Sequence, residues 1–114
     1  MPRLALSMVI LLASAAAAQA ADGPTRFWNL TPMKLTGFYL AAAGSGAWGM
    51  NQCQNDRDGS VDPDERLRIT GIESGIFDAK LAADSGRQCF VRNLKIETGA
   101  IFSIEEKDLT QCQP

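Results

Sequence analysis

The chain has 114 residues, 46% of them hydrophobic, with eleven basic and thirteen acidic side chains, three cysteines and no histidine. One domain is expected at this length, and a formal charge of −2 gives no electrostatic footprint for nucleic acid. Without histidine the chain lacks the commonest general base and both the Ser-His-Asp and Cys-His routes to an activated nucleophile, so a non-enzymatic role is expected.

Residues 1–20 read as a signal peptide. One basic residue, Arg3, precedes an uncharged run from Leu4 to Ala18, and Ala18-Gln19-Ala20 forms an A-x-A cleavage site. The run is short and alanine-rich for a transmembrane anchor, which needs about twenty apolar residues. Cleavage after Ala20 is expected, leaving 21–114 as a single exported domain in the periplasm or outside the cell, with no membrane attachment. Loss of Arg3 leaves ten basic against thirteen acidic groups, a charge of −3.

Beyond Pro24 the chain reads as short strands separated by turns. Thr25–Leu30 is rich in β-formers. Met33–Ala41 alternates apolar and polar residues until Gly37 shifts the phase, which predicts a β-bulge. Residues 42–51 form a glycine-rich loop anchored by Trp48. After the acidic segment 54–65, Leu67 and Ile69 share one face of a strand. Ile76–Ala82 alternates again and leads into Asp84-Ser85-Gly86, a hairpin signal. Cys89–Ile96 is a further strand with a phase slip near Asn93. Ala100–Ile104 closes the series, and the tail 105–114 is polar, with Glu105-Glu106-Lys107-Asp108 as a solvated face or short helical turn. About six strands at this spacing predict an all-β fold, a small antiparallel β-sandwich or partly closed barrel.

In this order the chain carries Phe27-x-Asn29-x-Thr31, Phe38-Tyr39-Leu40, Gly44, Trp48-Gly49-x-Asn51, an acidic turn, Leu67-x-Ile69, Phe77-Asp78-x-x-Leu81 and Asp84-x-Gly86-Arg87. The set resembles a group of small, exported, uncharacterised bacterial β-proteins. Residues 71–104 also resemble the hairpins of immunoglobulin-like and prealbumin-like modules. The resemblance implies an extracytoplasmic β-fold and no reaction, since fold alone does not assign function.

The acidic segment is the one constellation that suggests chemistry. With Gly59 as the sixth residue of an EF-hand-like loop spanning 54–65, Asp56, Asp58, Asp62 and Glu65 fall at ligand positions, and Ser60 offers a carbonyl. Hard Ca²⁺ takes six to eight oxygens, and glycine permits the sharp turn that aims them inward. Asp62-Pro63-Asp64-Glu65 is also a good helix start, with Asp62 as N-cap. Against this, Gln54 replaces the usual first carboxylate, and the flanks read as loop and strand. The competing reading is a solvated acidic turn whose Asp and Gly residues serve the bend.

Export places the cysteines in an oxidising compartment. Three pairings are open. Cys89–Cys112 is favoured because it pins the polar tail to a strand and closes a loop of about 23 residues, worth about 3 kcal/mol. The alternative leaves Cys89 buried and unpaired. Cys53 becomes the odd thiol, free or paired between chains. Trp28, Phe38, Tyr39 and Trp48 are expected to fill the core rather than to line a carbohydrate or peptide groove. The expected role is an exported binding or structural module for an unidentified protein or ligand, with calcium binding through 54–65 as the alternative. A small hydrolase is the minority reading.

Overall fold

A computed structural model describes residues 23–114, and the predicted signal segment 1–20 lies outside the described residues. Seven strands follow in chain order: β1 (Arg26–Leu30), β2 (Leu35–Ala42), β3 (Arg66–Arg68), β4 (Gly75–Ala83), β5 (Gln88–Ile96), β6 (Ile101–Glu105) and β7 (Thr110–Gln113). Two 3₁₀ turns, Gln52–Asn55 and Glu106–Asp108, interrupt them. One sheet has the order β3-β1-β6 and the other β2-β4-β5-β7. The expected sandwich is present, and the polar tail supplies a strand of its own. All pairings are antiparallel except β1 with β6, which run parallel.

The alternation explains the layers. In β1, Phe27 and Asn29 point inward between exposed Arg26 and half-buried Trp28 and Leu30. Phe27 from one sheet lies flat on Phe38 from the other, with centroids 4.2 Å apart and an interplanar angle of 7°. Phe102, beside Phe27 on β6, extends the stack at 5.6 Å. Leu35, Leu40, Val61, Leu67, Leu81, Val91, Ile96 and Ile104 are the larger aliphatic members of the same core. Burial of such side chains stabilises by about 1.5–3 kcal/mol each.

Both predicted phase slips are bulges. The β2–β4 register shifts between Leu35 and Gly37. A Cβ at Gly37 would come within 2.9 Å of the Tyr39 ring and 3.0 Å of the Ala82 methyl, so the bulge tolerates only glycine without displacement. The β4–β5 register shifts between Phe77 and Ala79, opposite Asn93, whose φ of +56° is left-handed. Asn tolerates that region better than most residues.

A buried polar cluster fixes the long loops. Asn29 is fully buried and uses its whole amide. Its Nδ2 donates to the carbonyls of Met33 (2.8 Å), Val61 and Asp62 (both 3.3 Å), and its Oδ1 accepts from Thr31 N and Oγ1. Asn51 plays the same part at the free edge of β2. Its Oδ1 accepts from Phe38 N (3.1 Å), its Nδ2 donates to Thr36 O (2.9 Å), and Oδ1 also caps the first 3₁₀ turn at Cys53 N. An uncovered edge invites strand pairing with another chain, and here a side-chain amide and residues 49–61 occupy it. Among the described residues no buried side-chain N or O lacks a partner.

Candidate functional site

The acidic segment is a string of tight turns. Gln52–Asn55 forms a 3₁₀ turn capped by Asn51. Asp56 Oδ1 accepts from Asp58 N (2.8 Å), and its carbonyl accepts from Gly59 N (3.1 Å). Gly59 has φ +70°, the left-handed conformation glycine supplies without strain. Val61 is fully buried and bridges to Leu35 of β2 in both directions. Asp62 and Glu65 face each other across one turn: Glu65 Oε1 accepts from Asp62 N (3.1 Å), and Glu65 N donates to Asp62 O (3.1 Å). This is the half-cap expected of a helix start, but no helix follows. Asp64 takes φ +69° and its N–H donates to Asn29 O, so the chain enters β3 at Arg66. Sheet pairing of Arg66–Arg68 with Trp28–Arg26 outweighs local capping.

Of the four candidate calcium ligands, Asp62 and Glu65 are brought together. The neighbouring Asp62 carboxyl, and secondarily the charge of Asp56, push the Glu65 pKa up. Asp58 is exposed and offers its carboxylate to solvent. Among the described residues no group of three or more acidic or cysteine side chains converges as a metal site would require.

The cysteines pair as favoured. Cys89 on β5 is bonded to Cys112 on β7, with Cα atoms 4.1 Å apart. Cys53 is free, yet it is fully buried rather than displayed on a polar loop. Its Sγ donates weakly to Leu35 O at 3.7 Å. Burial, then the charge of Asp56, pushes the thiol up to about 11, which suppresses the reactive thiolate at neutral pH.

The expected aromatic core is only partly right. Phe38 is central, but Trp28, Tyr39 and Trp48 are half-buried on outer faces. Their rings occupy positions one residue out of phase with Phe27, Phe38 and Leu40, or lie in a loop. Trp28 packs under the Arg66 guanidinium (4.3 Å) and donates through Nε1 to Asp64.

The outer face of the four-stranded sheet holds a denser constellation. Tyr39, Lys80, Phe90 and Thr110 are register neighbours on β2, β4, β5 and β7, so they rise from one row. Trp48, from the glycine-rich loop, lies against Phe90 with centroids 5.8 Å apart. Lys80 Nζ stands 4.6 Å from the Tyr39 ring centroid and 5.2 Å from that of Trp48. The Arg92 guanidinium lies 4.8 Å from the Phe90 centroid.

Asp78 organises this face. It is buried, 4% exposed, with Oδ2 accepting from Gly44 N (2.9 Å) and from Arg92 Nη1 (3.3 Å), and Oδ1 accepting from Asn93 N (3.2 Å). The Gly44 N–H is the strongest influence holding its carboxyl below the ordinary range, with Asn93 N–H and Arg92 adding to it against the cost of burial. One carboxylate thus ties the root of the Trp48 loop to the β5 bulge. Arg92 continues outward to Gln111 Oε1 on β7 through Nη2 (2.9 Å) and Nε (3.2 Å). Sequence reasoning did not single out Lys80, Phe90 or Arg92. The available signal was the acidic residue within an otherwise alternating strand, Phe77-Asp78-Ala79, beside a bulge.

Comparison with protein-family models, with curated proteins and with solved structures gives no match.

Proposed function

We propose that the chain is an exported, non-enzymatic binding module whose ligand surface is the outer face of the four-stranded sheet. The observation that carries this reading is the row of half-buried rings, Tyr39, Trp48 and Phe90, interleaved with Lys80 and Arg92 and held by Asp78. Aromatic rings left partly in water next to cations are common in recognition surfaces, where each ring offers a large contact area at little entropic cost. Export is supported by the leader pattern of residues 1–20 and by a disulfide, which persists in oxidising compartments. The lack of histidine supports a role in binding rather than catalysis.

The test is site-directed photocrosslinking in the exporting cell. A benzoylphenylalanine replacing exposed Thr110, in the row of Phe90, is expected to capture a specific adduct. The same probe at exposed Arg68, on the three-stranded sheet, is expected to capture none. Adducts from Arg68 alone would overturn the assignment of the face.

A second reading, a calcium-ordered loop, is favoured by one observation: Asp62 and Glu65 are adjacent like charges with Asp56 adding to their repulsion. A divalent cation would relieve that repulsion. Extracellular modules of this kind bind at about 10⁻⁴–10⁻³ M, so 10 mM CaCl₂ is expected to raise the melting temperature by several degrees. The double substitution Asp62→Asn and Glu65→Gln is expected to abolish the rise. An unchanged melting temperature in the parent protein sinks this reading.

A further inference from the structure

We propose that the ligand of this face is a carboxylate-bearing saccharide, recognised by Lys80 between the Tyr39 and Trp48 rings. The inference rests on the reading of the face as a binding surface and names the chemistry it would take. Three observations lead to it.

First, the two cations of the face differ. Arg92 is paired with Asp78 at 3.3 Å, whereas Lys80 takes part in none of the three ion pairs among the described residues. Its ammonium is held near two rings, 4.6 and 5.2 Å from their centroids, and no carboxylate neutralises it. An anion approaching from solvent would meet a positioned donor whose side-chain entropy is already partly spent.

Second, the surroundings of that ammonium are flat and apolar. Tyr39, Trp48 and Phe90 are each half-buried, so part of every ring remains in water. Their negative π faces attract the polarised C–H groups of a rigid ring as they attract a cation. A flexible acidic side chain of a peptide supplies the charge but no rigid face. A sugar carrying a carboxylate supplies both.

Third, the charge of the whole chain selects low charge density. At −2 overall the chain has no net positive charge with which to hold a dense polyanion such as nucleic acid or an anionic membrane. One carboxylate per sugar ring suits one unpaired lysine.

The experiment is titration calorimetry on the oxidised protein with trigalacturonate, the neutral galactotriose, triglutamate and inorganic phosphate. Trigalacturonate is expected to bind at least tenfold more tightly than the other three. Lys80→Met, which keeps the apolar stem and removes the charge, is expected to weaken binding at least tenfold, and Lys80→Arg to retain most of it. Trp48→Ala is expected to weaken binding as well, and Lys95→Met, on a lysine paired with Glu97, to leave it unchanged. Thermal melting checks that each variant is folded. Equal binding of galactotriose, or indifference to Lys80→Met, overturns the acid-specific proposal while leaving the face as a binding surface. Tighter binding of triglutamate or phosphate overturns the saccharide. Absence of binding to all four probes, with crosslinks still formed from Thr110, also overturns it and leaves the face reading standing; loss of those crosslinks instead removes the face reading itself.

Discussion

Asn29 shows how much one buried side chain can decide. It closes five hydrogen bonds between β1, the turn to β2 and residues 61–62. Asn29→Ala leaves the Met33 carbonyl and the two Thr31 donors without their partner in the interior, where each unsatisfied group costs about 1–3 kcal/mol, while Val61 O and Asp62 O keep Leu35 N and Glu65 N. With partial access of water, a loss of about 3 kcal/mol is expected in urea unfolding. Asp78 makes a comparable hub with a pH signature. Its folded pKa is depressed, so its contribution to stability is complete above about pH 5 and is lost as the pH falls through the unfolded value, about 3.9, toward the lower folded one. Asp78→Asn can accept on one side only, so about 2–3 kcal/mol should be lost at pH 7 and the acid limb of the stability profile should flatten. Melting curves between pH 3 and 7 check both. Asn29, Asn51 and Asp78 each fall within the motifs read from the sequence. Their pairings were not legible there, because the partners are 32 to 34 residues away for Asn29 with Val61 and Asp62 and for Asp78 with Gly44.

At the scale of elements, alternation and punctuation were enough to locate most strands, and Gly37 and Asn93 announced two of the three register shifts; the third, between Gln88 and Phe90 against β7, had no such mark. The acidic segment was ambiguous for a physical reason. Asp62-Pro63-Asp64-Glu65 satisfies local capping rules, but β3 gains ladder bonds and buries Leu67, with Ile69 buried just beyond it, and nonlocal pairing overrides capping. β7 was illegible because all four of its residues are exposed and three of them, Thr110, Gln111 and Gln113, are polar; what makes it a strand is β5 alongside, the Cys89–Cys112 bond and the Arg92–Gln111 contact. The bridge closes a separation of 23 residues, so Cys112→Ser is expected to cost about 3 kcal/mol by loss of the constraint on the unfolded chain, with hydrogen exchange rising in 110–113. In the native oxidised protein no thiol should react quickly with a thiol reagent at pH 7. One per chain should react after unfolding, because Cys53 is both buried and shifted up to about 11.

For the whole molecule, sandwich closure places Phe27 on Phe38 and leaves the opposite faces of both sheets to water. On the export proposal the mature chain is expected to begin at Ala21, which mass spectrometry of the periplasmic fraction checks; the full-length mass there would refute cleavage. By itself the sequence determined the all-β class, two of the three register shifts and the pairing worth favouring among three cysteines, because alternation, glycine and spacing are read along the chain. Only the tertiary structure decided the depth of Cys53, the strand character of the tail and the meeting of Tyr39, Trp48, Lys80, Phe90 and Arg92. Those five come from three strands and a loop. A surface built by lateral register and a bulge has no linear trace, since the neighbours that define it are set by hydrogen bonds between strands rather than along them.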